Sequence, residues 1–124
     1  MQYEWANYET AVKQILENSD FGFVVVCESG DDLVGFVAFT FEWSDWRDGA
    51  FFWLQGLQVA ESSDKTQVLQ SLKAALETHK ATLDYRCSGI RLCSPKVIHD
   101  ESEEAIKMFE LQPSHYYVYH VDTA

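Results

Sequence analysis

Basic side chains are few in this sequence. Nine Lys and Arg stand against twenty Asp and Glu, a net charge of −11. So acidic a chain is repelled at long range by a nucleic-acid backbone or an anionic membrane surface, and neither is expected as a partner. Cationic or neutral ligands are favoured instead. Cysteine is also scarce: Cys27, Cys87 and Cys93 are odd in number and lack CxxC spacing. They read as buried thiols in a reducing cytoplasm rather than as a disulfide framework. No basic leader precedes an apolar segment, and the longest apolar run, FGFVVVC (21–27), is too short to cross a bilayer, so a soluble, cytoplasmic chain is expected. None of the six glycines falls between Ala60 and Leu69, where a tight turn around an anion would use them.

What is present is apolar bulk and clear periodicity. With 47% hydrophobic and 15% aromatic residues, the 124-residue chain is one domain's worth of core, 1–124. Tyr8, Ala11, Val12, Ile15 and Leu16 form one stripe of a helix from about Glu4 to Asn18. Phe21–Glu28 and Leu33–Trp43 read as a hairpin around SGDD, and Ala50–Val59 extends it to an antiparallel meander, with Gly56 marking a bulge or a close backbone approach. Past Val59 the period becomes helical, through Val68, Leu69, Leu72, Ala75 and Leu76. Asp64 and Gln67 form a capping box at its start. Gly89–Ser94 is then a strand parallel to Ala50–Val59, because a strand, helix, strand order of this length is a crossover. A short helix follows at Ser102–Glu110, capped by Asp100 and Glu103 and ended by Pro113. His115–Val121 reads as a last strand.

Several chemically suggestive residues have plainer readings. His115 and His120, five apart on a strand, point to opposite faces and make no metal pair; no metal site is expected. The closing tyrosines read as packing, although one of them could donate a proton. Cys27 and Cys93 have no nearby base motif and read as structural. Asp31 and Asp32 suit turn geometry.

The element order, and above all FEWSDWRDGAFFWLQGLQV (41–59), resembles the GCN5-related N-acetyltransferases (GNAT), nearest to their spermidine/spermine acetyltransferase-like branch. Ser44, Trp46, Gly49, Leu54, Leu57 and Val59 carry the likeness. The resemblance implies an α+β fold: a mixed, mostly antiparallel sheet with flanking helices, a truncated GNAT (acyl-CoA N-acyltransferase) fold. It also implies a pantetheine arm paired with backbone near Leu57 and Val59, and phosphates at the helix start near Lys65 and Thr66. A small cationic amine would lie by Trp43, Asp45 and Trp46, with Glu42 or Gln55 at the chemical position.

The sequence departs from that family at three places. The phosphate loop, Arg-Gly-x-Gly-Ile-Gly in the family, reads Asp64, Lys65, Thr66, Gln67, Val68, Leu69 here. A Glu-Asp pair has become Gln55 and Gly56, and Gln cannot act as a base near neutral pH. The usual tyrosine of the last helix is Phe109. Weak acetyl-CoA binding and a divergent N-acyltransferase are expected. The alternative is a non-catalytic module of the same fold that binds a small cationic ligand or a protein partner. A homodimer covering the Phe21–Glu28 edge or the C-terminal strand is expected as well.

Overall fold

The computed structural model describes residues 13–44, 46, 48–61, 63–93, 100–114, 119, 121 and 122. Among the described residues, a helical stretch at 13–17 is followed by four strands and two helices in the order β1 (Gly22–Ser29), β2 (Asp32–Ser44), β3 (Gly49–Val59), α1 (Lys65–Lys80), β4 (Arg86–Arg91) and α2 (Asp100–Met108). The sheet order is β1-β2-β3-β4, antiparallel through β3 and parallel between β3 and β4. This is the mixed, mostly antiparallel α+β architecture expected. Residues 13–17 are helical, which agrees with the end of the first expected helix. The rest of that helix lies outside the described residues, as do Asp45 and most of the expected C-terminal strand, of which Tyr119 and Val121 are described and exposed.

Both helices cover one face of the sheet. Phe23, Val25, Val37, Phe39, Phe41, Ala50, Phe52 and Leu54 project toward them and meet Val68, Leu72, Leu76 and Ala105. Aromatic rings carry much of this layer: Phe23 lies 5.4 Å from Phe39, and Phe39 meets the Phe109 ring edge-on at 5.9 Å. At Gly35 α1 packs close on β2, and a Cβ there would press on Val68 and on the Gln58 carbonyl. The β1–β2 turn is two residues long, and Gly30 supplies the positive φ of 64° that such a turn uses.

Some local readings need correction. The strand that follows α1 is Arg86–Arg91, three residues earlier than Gly89–Ser94. Its charged ends hide it in the sequence, because a half-exposed strand at the border of the described sheet has no need of a continuous apolar run. The helix α2 begins at Asp100 itself and is not stopped by Pro113. It ends in a Schellman turn: Leu111 N–H donates to Ile106 C=O at 2.9 Å and Glu110 N–H to Lys107 C=O at 3.3 Å, with Glu110 at φ 53°. The thiols are less enclosed than expected. Cys27 and Cys87 are half-buried and Cys93 is exposed, since β1 is an edge strand among the described residues and Cys93 lies past the end of β4.

Two substitutions test this packing. Leu72→Ala removes a fully buried side chain and should lower unfolding stability by about 2–5 kcal/mol. Gly35→Ala should cost about 1–3 kcal/mol by forcing α1 off the sheet. Urea denaturation followed by circular dichroism checks both, and wild-type midpoints would contradict the helix–sheet contact described.

Candidate functional site

The site begins with one extra residue in β3. Ala38 pairs with Gly56 and Phe39 with Leu54, so Gln55 has no partner on β2 and forms a bulge next to Gly56. A bulge shifts the alternation by one residue. Before it, Ala50, Phe52 and Leu54 face the helices; after it, Leu57 takes over, buried in the same core. The hydrogen-bond phase follows as well. Ala60 N–H donates to Val34 C=O at 2.8 Å, so residues 56, 58 and 60 turn their backbone groups toward β2. Leu57 and Val59 therefore turn theirs the other way, toward β4. But β4 ends at Arg91, opposite Trp53. Beyond that point β3 runs on without a strand neighbour on that side among the described residues. The gap starts at Trp53 and opens toward the N-terminus of α1.

At that terminus the sequence supplies its own anion. The Asp64 carboxylate accepts from Gln67 N–H at 3.2 Å, which bears out the N-cap read from the sequence and occupies a donor that a bound phosphate would use. Lys65 is ion-paired with Glu104 of α2. Thr66 is exposed in the first turn. Ser63 folds back on Ala60, its hydroxyl donating to the carbonyl at 2.6 Å. A depression of about 480 Å³ beside this helix start, lined by Glu28, Asp32, Asp64 and Gln67 among others, adds further negative charge.

The remaining candidates divide between the two faces of the sheet. Glu42 and Gln55 lie on the face away from the helices. Gln55 Nε2 donates to Thr40 Oγ1 at 2.8 Å. Glu42 Oε1 is 3.3 Å from Arg91 Nη1, whose guanidinium lies 3.5 Å from the centre of the Phe51 ring. Trp43 and Trp46, both exposed, instead line an open depression of about 610 Å³ with Asp48, Asp84, Tyr85 and Arg86. It sits at the start of β3 and β4. From Ala50, opposite Trp43, to Gln55 is five residues, about 16 Å along the strand. The structure thus brings Glu42 and Gln55 to one face and places Trp43 and Trp46 elsewhere.

Sequence reasoning missed Tyr85, Asp84 and Arg91. Tyr85 and Asp84 fall in a short connection with no periodicity, and Arg91 acts through rings on a neighbouring strand. Tyr85 packs edge-on against Phe41 at 5.5 Å. Burial first, then the nearby Asp20 and Asp84 carboxylates, hold its phenol above the ordinary pKa of 10.0, so it remains a neutral donor. Among the described residues, no cluster of three His, Cys, Asp or Glu side chains could hold a metal, and no helix is long and apolar enough to cross a membrane.

No protein-family model matches the chain, and no curated protein matches it in sequence. Solved structures do match it. A possible acetyltransferase from Clostridium difficile 630 superposes with a TM-score of 0.79 at 21% identity, over 100% of this chain and 80% of that one. The fold is that of the acetyltransferases. A ribosomal-protein-alanine N-acetyltransferase from Brucella melitensis biovar Abortus 2308 gives 0.68 at 13% identity, over 93% and 80%. AAC(6')-Iy, solved with the bisubstrate analogue CoA-S-monomethyl-acetylneamine, gives 0.62 at 12%, over 98% and 82%. The acetyltransferase fold is present here with no glycine between Ala60 and Leu69.

The state of Tyr85 can be measured. Below pH 10 the phenol is protonated in both folded and unfolded chains and contributes no pH dependence. Above it the unfolded chain ionises first, so stability should fall as pH rises from about 10 through the higher folded value. Tyr85→Phe should flatten that part of the stability profile. An unchanged alkaline slope in the variant would show that Tyr85 is not the group responsible.

Proposed function

We propose that this chain binds the pantetheine arm of an acyl-CoA in the gap beside β3, holds the phosphates weakly, and presents the acyl group to a small cationic amine. The observation that carries this reading is the outward turn of the Leu57 and Val59 backbone groups beyond the end of β4. An amide-bearing arm can pair with them whatever the side chains are. The helix start is a poorer fit for a pyrophosphate, because Asp64 fills one donor and Lys65 is engaged by Glu104. The bound acyl-CoA would supply an activated thioester. The chain's own residues would position it beside the bulge, near the end of β4.

On the face that carries the bulge, Glu42 is a carboxylate able to take a proton from an ammonium group, which Gln55 cannot do. Its pairing with Arg91 fixes its position and competes for that role. Acidic groups and rings favour an amine over an anion as the acceptor. Trp43 and Trp46 would then serve a second charged group of an extended amine, or a separate cation, rather than the reacting nitrogen.

A second reading, a non-catalytic module of the same fold, is favoured by one observation. Gln55 is bonded to Thr40 on one face of the sheet and Phe109 is packed on Phe39 on the other, and neither side chain is a proton-transfer group.

Calorimetric titration with acetyl-CoA should give high-micromolar or weaker affinity, equivalent to about −5 to −6 kcal/mol. Acetyl-pantetheine, which lacks the pyrophosphate, should bind within a few-fold of it. Asp64→Gly should tighten acetyl-CoA about tenfold and leave acetyl-pantetheine unchanged. Tight wild-type binding of acetyl-CoA alone would refute the weak phosphate grip, and no binding of either compound would refute the site. Turnover of spermidine that is lost in Glu42→Gln would favour the enzyme, whereas binding without turnover would favour the module.

A further inference from the structure

On the sheet face away from the helices, three strands converge on one positive charge. Glu42 of β2, Phe51 of β3 and Gly89 of β4 are paired in one row, and Thr40, Trp53 and Arg91 in the next. Gly89 leaves the Phe51 ring uncrowded, since a Cβ there would come within 3.3 Å of it. Arg91, two residues on and on the same side of β4, folds back over the ring. Its guanidinium lies 3.5 Å from the centre of Phe51 and 5.8 Å from that of Trp53, and Nη1 donates to Glu42 Oε1 at 3.3 Å. Two rings and a carboxylate are the elements of a cation site. Phe51 is 7% exposed beneath the guanidinium, whereas the Glu42 side chain is 52% exposed, so the place can be reached from solvent.

We propose that Phe51, Trp53 and Glu42 form a binding site for a primary ammonium group, and that Arg91 is a tethered stand-in which the ligand displaces. Arg91 shows the chemistry that the site takes: a positive charge over ring faces, against a carboxylate. Its hold is modest, because a partly exposed ring contact and a surface ion pair are each weak, so a ligand can win the place. A guanidinium also stays protonated in a protein, and Arg91 therefore keeps the place without reacting. The position suits an acceptor. Arg91 ends β4 and pairs with Trp53, where the gap beside β3 begins, so a nitrogen held there stands next to the bulge. Use of the site by an acceptor rests on the acyl-CoA reading, whereas the ammonium site itself rests on the two rings and Glu42.

Butylammonium, titrated into the whole chain and followed by nuclear magnetic resonance, tests this, with butanol as the uncharged control. The Trp53 indole N–H should shift saturably with butylammonium and not with butanol. The Arg91 Nε–H should lose its ring-current shift at the same midpoint. Arg91→Gln keeps a planar cover over Phe51 without a charge and should tighten butylammonium about tenfold, while Arg91→Lys keeps a competing cation and should stay near wild type. Lys73→Gln makes the same change of net charge at an exposed position of α1 and should have no effect. Equal affinities in the Gln and Lys variants of Arg91 would overturn the proposal, because Arg91 would then be only a cover for Phe51. So would an equal gain in Lys73→Gln, or an Arg91 resonance that stays in place as Trp53 shifts. The wild-type resonances decide even if a variant does not fold. Titration with acetyl-pantetheine separates the two readings. Butylammonium binding without acetyl-pantetheine binding supports the ammonium site and sinks the acyl-CoA reading; the reverse overturns the ammonium site alone.

Discussion

The extra residue at Gln55 is the constraint on which the site depends. Without it, the side of β3 that packs Ala50, Phe52 and Leu54 would continue into Gly56 and Gln58, and Leu57 would face away from the helices. A one-residue slip in a strand exchanges its two faces. The bulge lets the core continue along the whole of β3 while the strand bends, and a locally stronger twist is its usual consequence. It also sets the phase in which Leu57 and Val59 offer their backbone groups toward the gap. Core continuity and the candidate ligand site thus share one origin in the backbone.

Much of this was legible in the sequence, and the reasons differ by element. The meander could be read because Phe, Val and Leu alternate between turns with obvious chemistry, and α1 because Val68, Leu72 and Leu76 keep a helical stripe behind a capping aspartate. Gly56 marked the bulge to within one residue. The glycine tolerates the bend, but the residue left unpaired is its neighbour Gln55. Strand β4 was misplaced because periodicity sees side chains, and Arg86–Arg91 is held mainly by pairing with Gly49–Trp53. The division of the site between two faces was legible only through strand alternation, the rule that also parts His115 from His120. Glu42 and Trp43 are adjacent in sequence, and only the pleat separates them.

Charge adds a second constraint. A helix N-terminus offers donors and a positive partial charge to any anion within reach. In this chain the nearest anion is covalently present, since Asp64 precedes the helix by one residue and is already in bonding geometry. A tethered carboxylate needs no translational entropy to occupy the position, whereas a free phosphate does. The negative surroundings from Glu28 and Asp32 favour the same outcome. The missing glycines and the acidic composition therefore act in one direction.

The ion pair between Lys65 and Glu104 extends this logic from binding to stability. A pair with one partner at the surface contributes only about 1 kcal/mol, so the buried contacts of Leu72, Leu76 and Ala105 do more to keep α1 and α2 on the sheet. Its effect is on charge, because it neutralises a cation in the first turn of α1. Restoring a firm phosphate grip would thus require both removing the Asp64 cap, which steadies the helix, and freeing Lys65 from α2. Each change costs the fold a little, and neither helps unless an anion is bound. A gap lined by backbone groups carries no such conflict, since the bulge that sets the phase of those groups also completes the core. In the proposed reading the hold on the acyl-CoA accordingly rests on main-chain pairing and shape, and side-chain charge is left to the cationic acceptor.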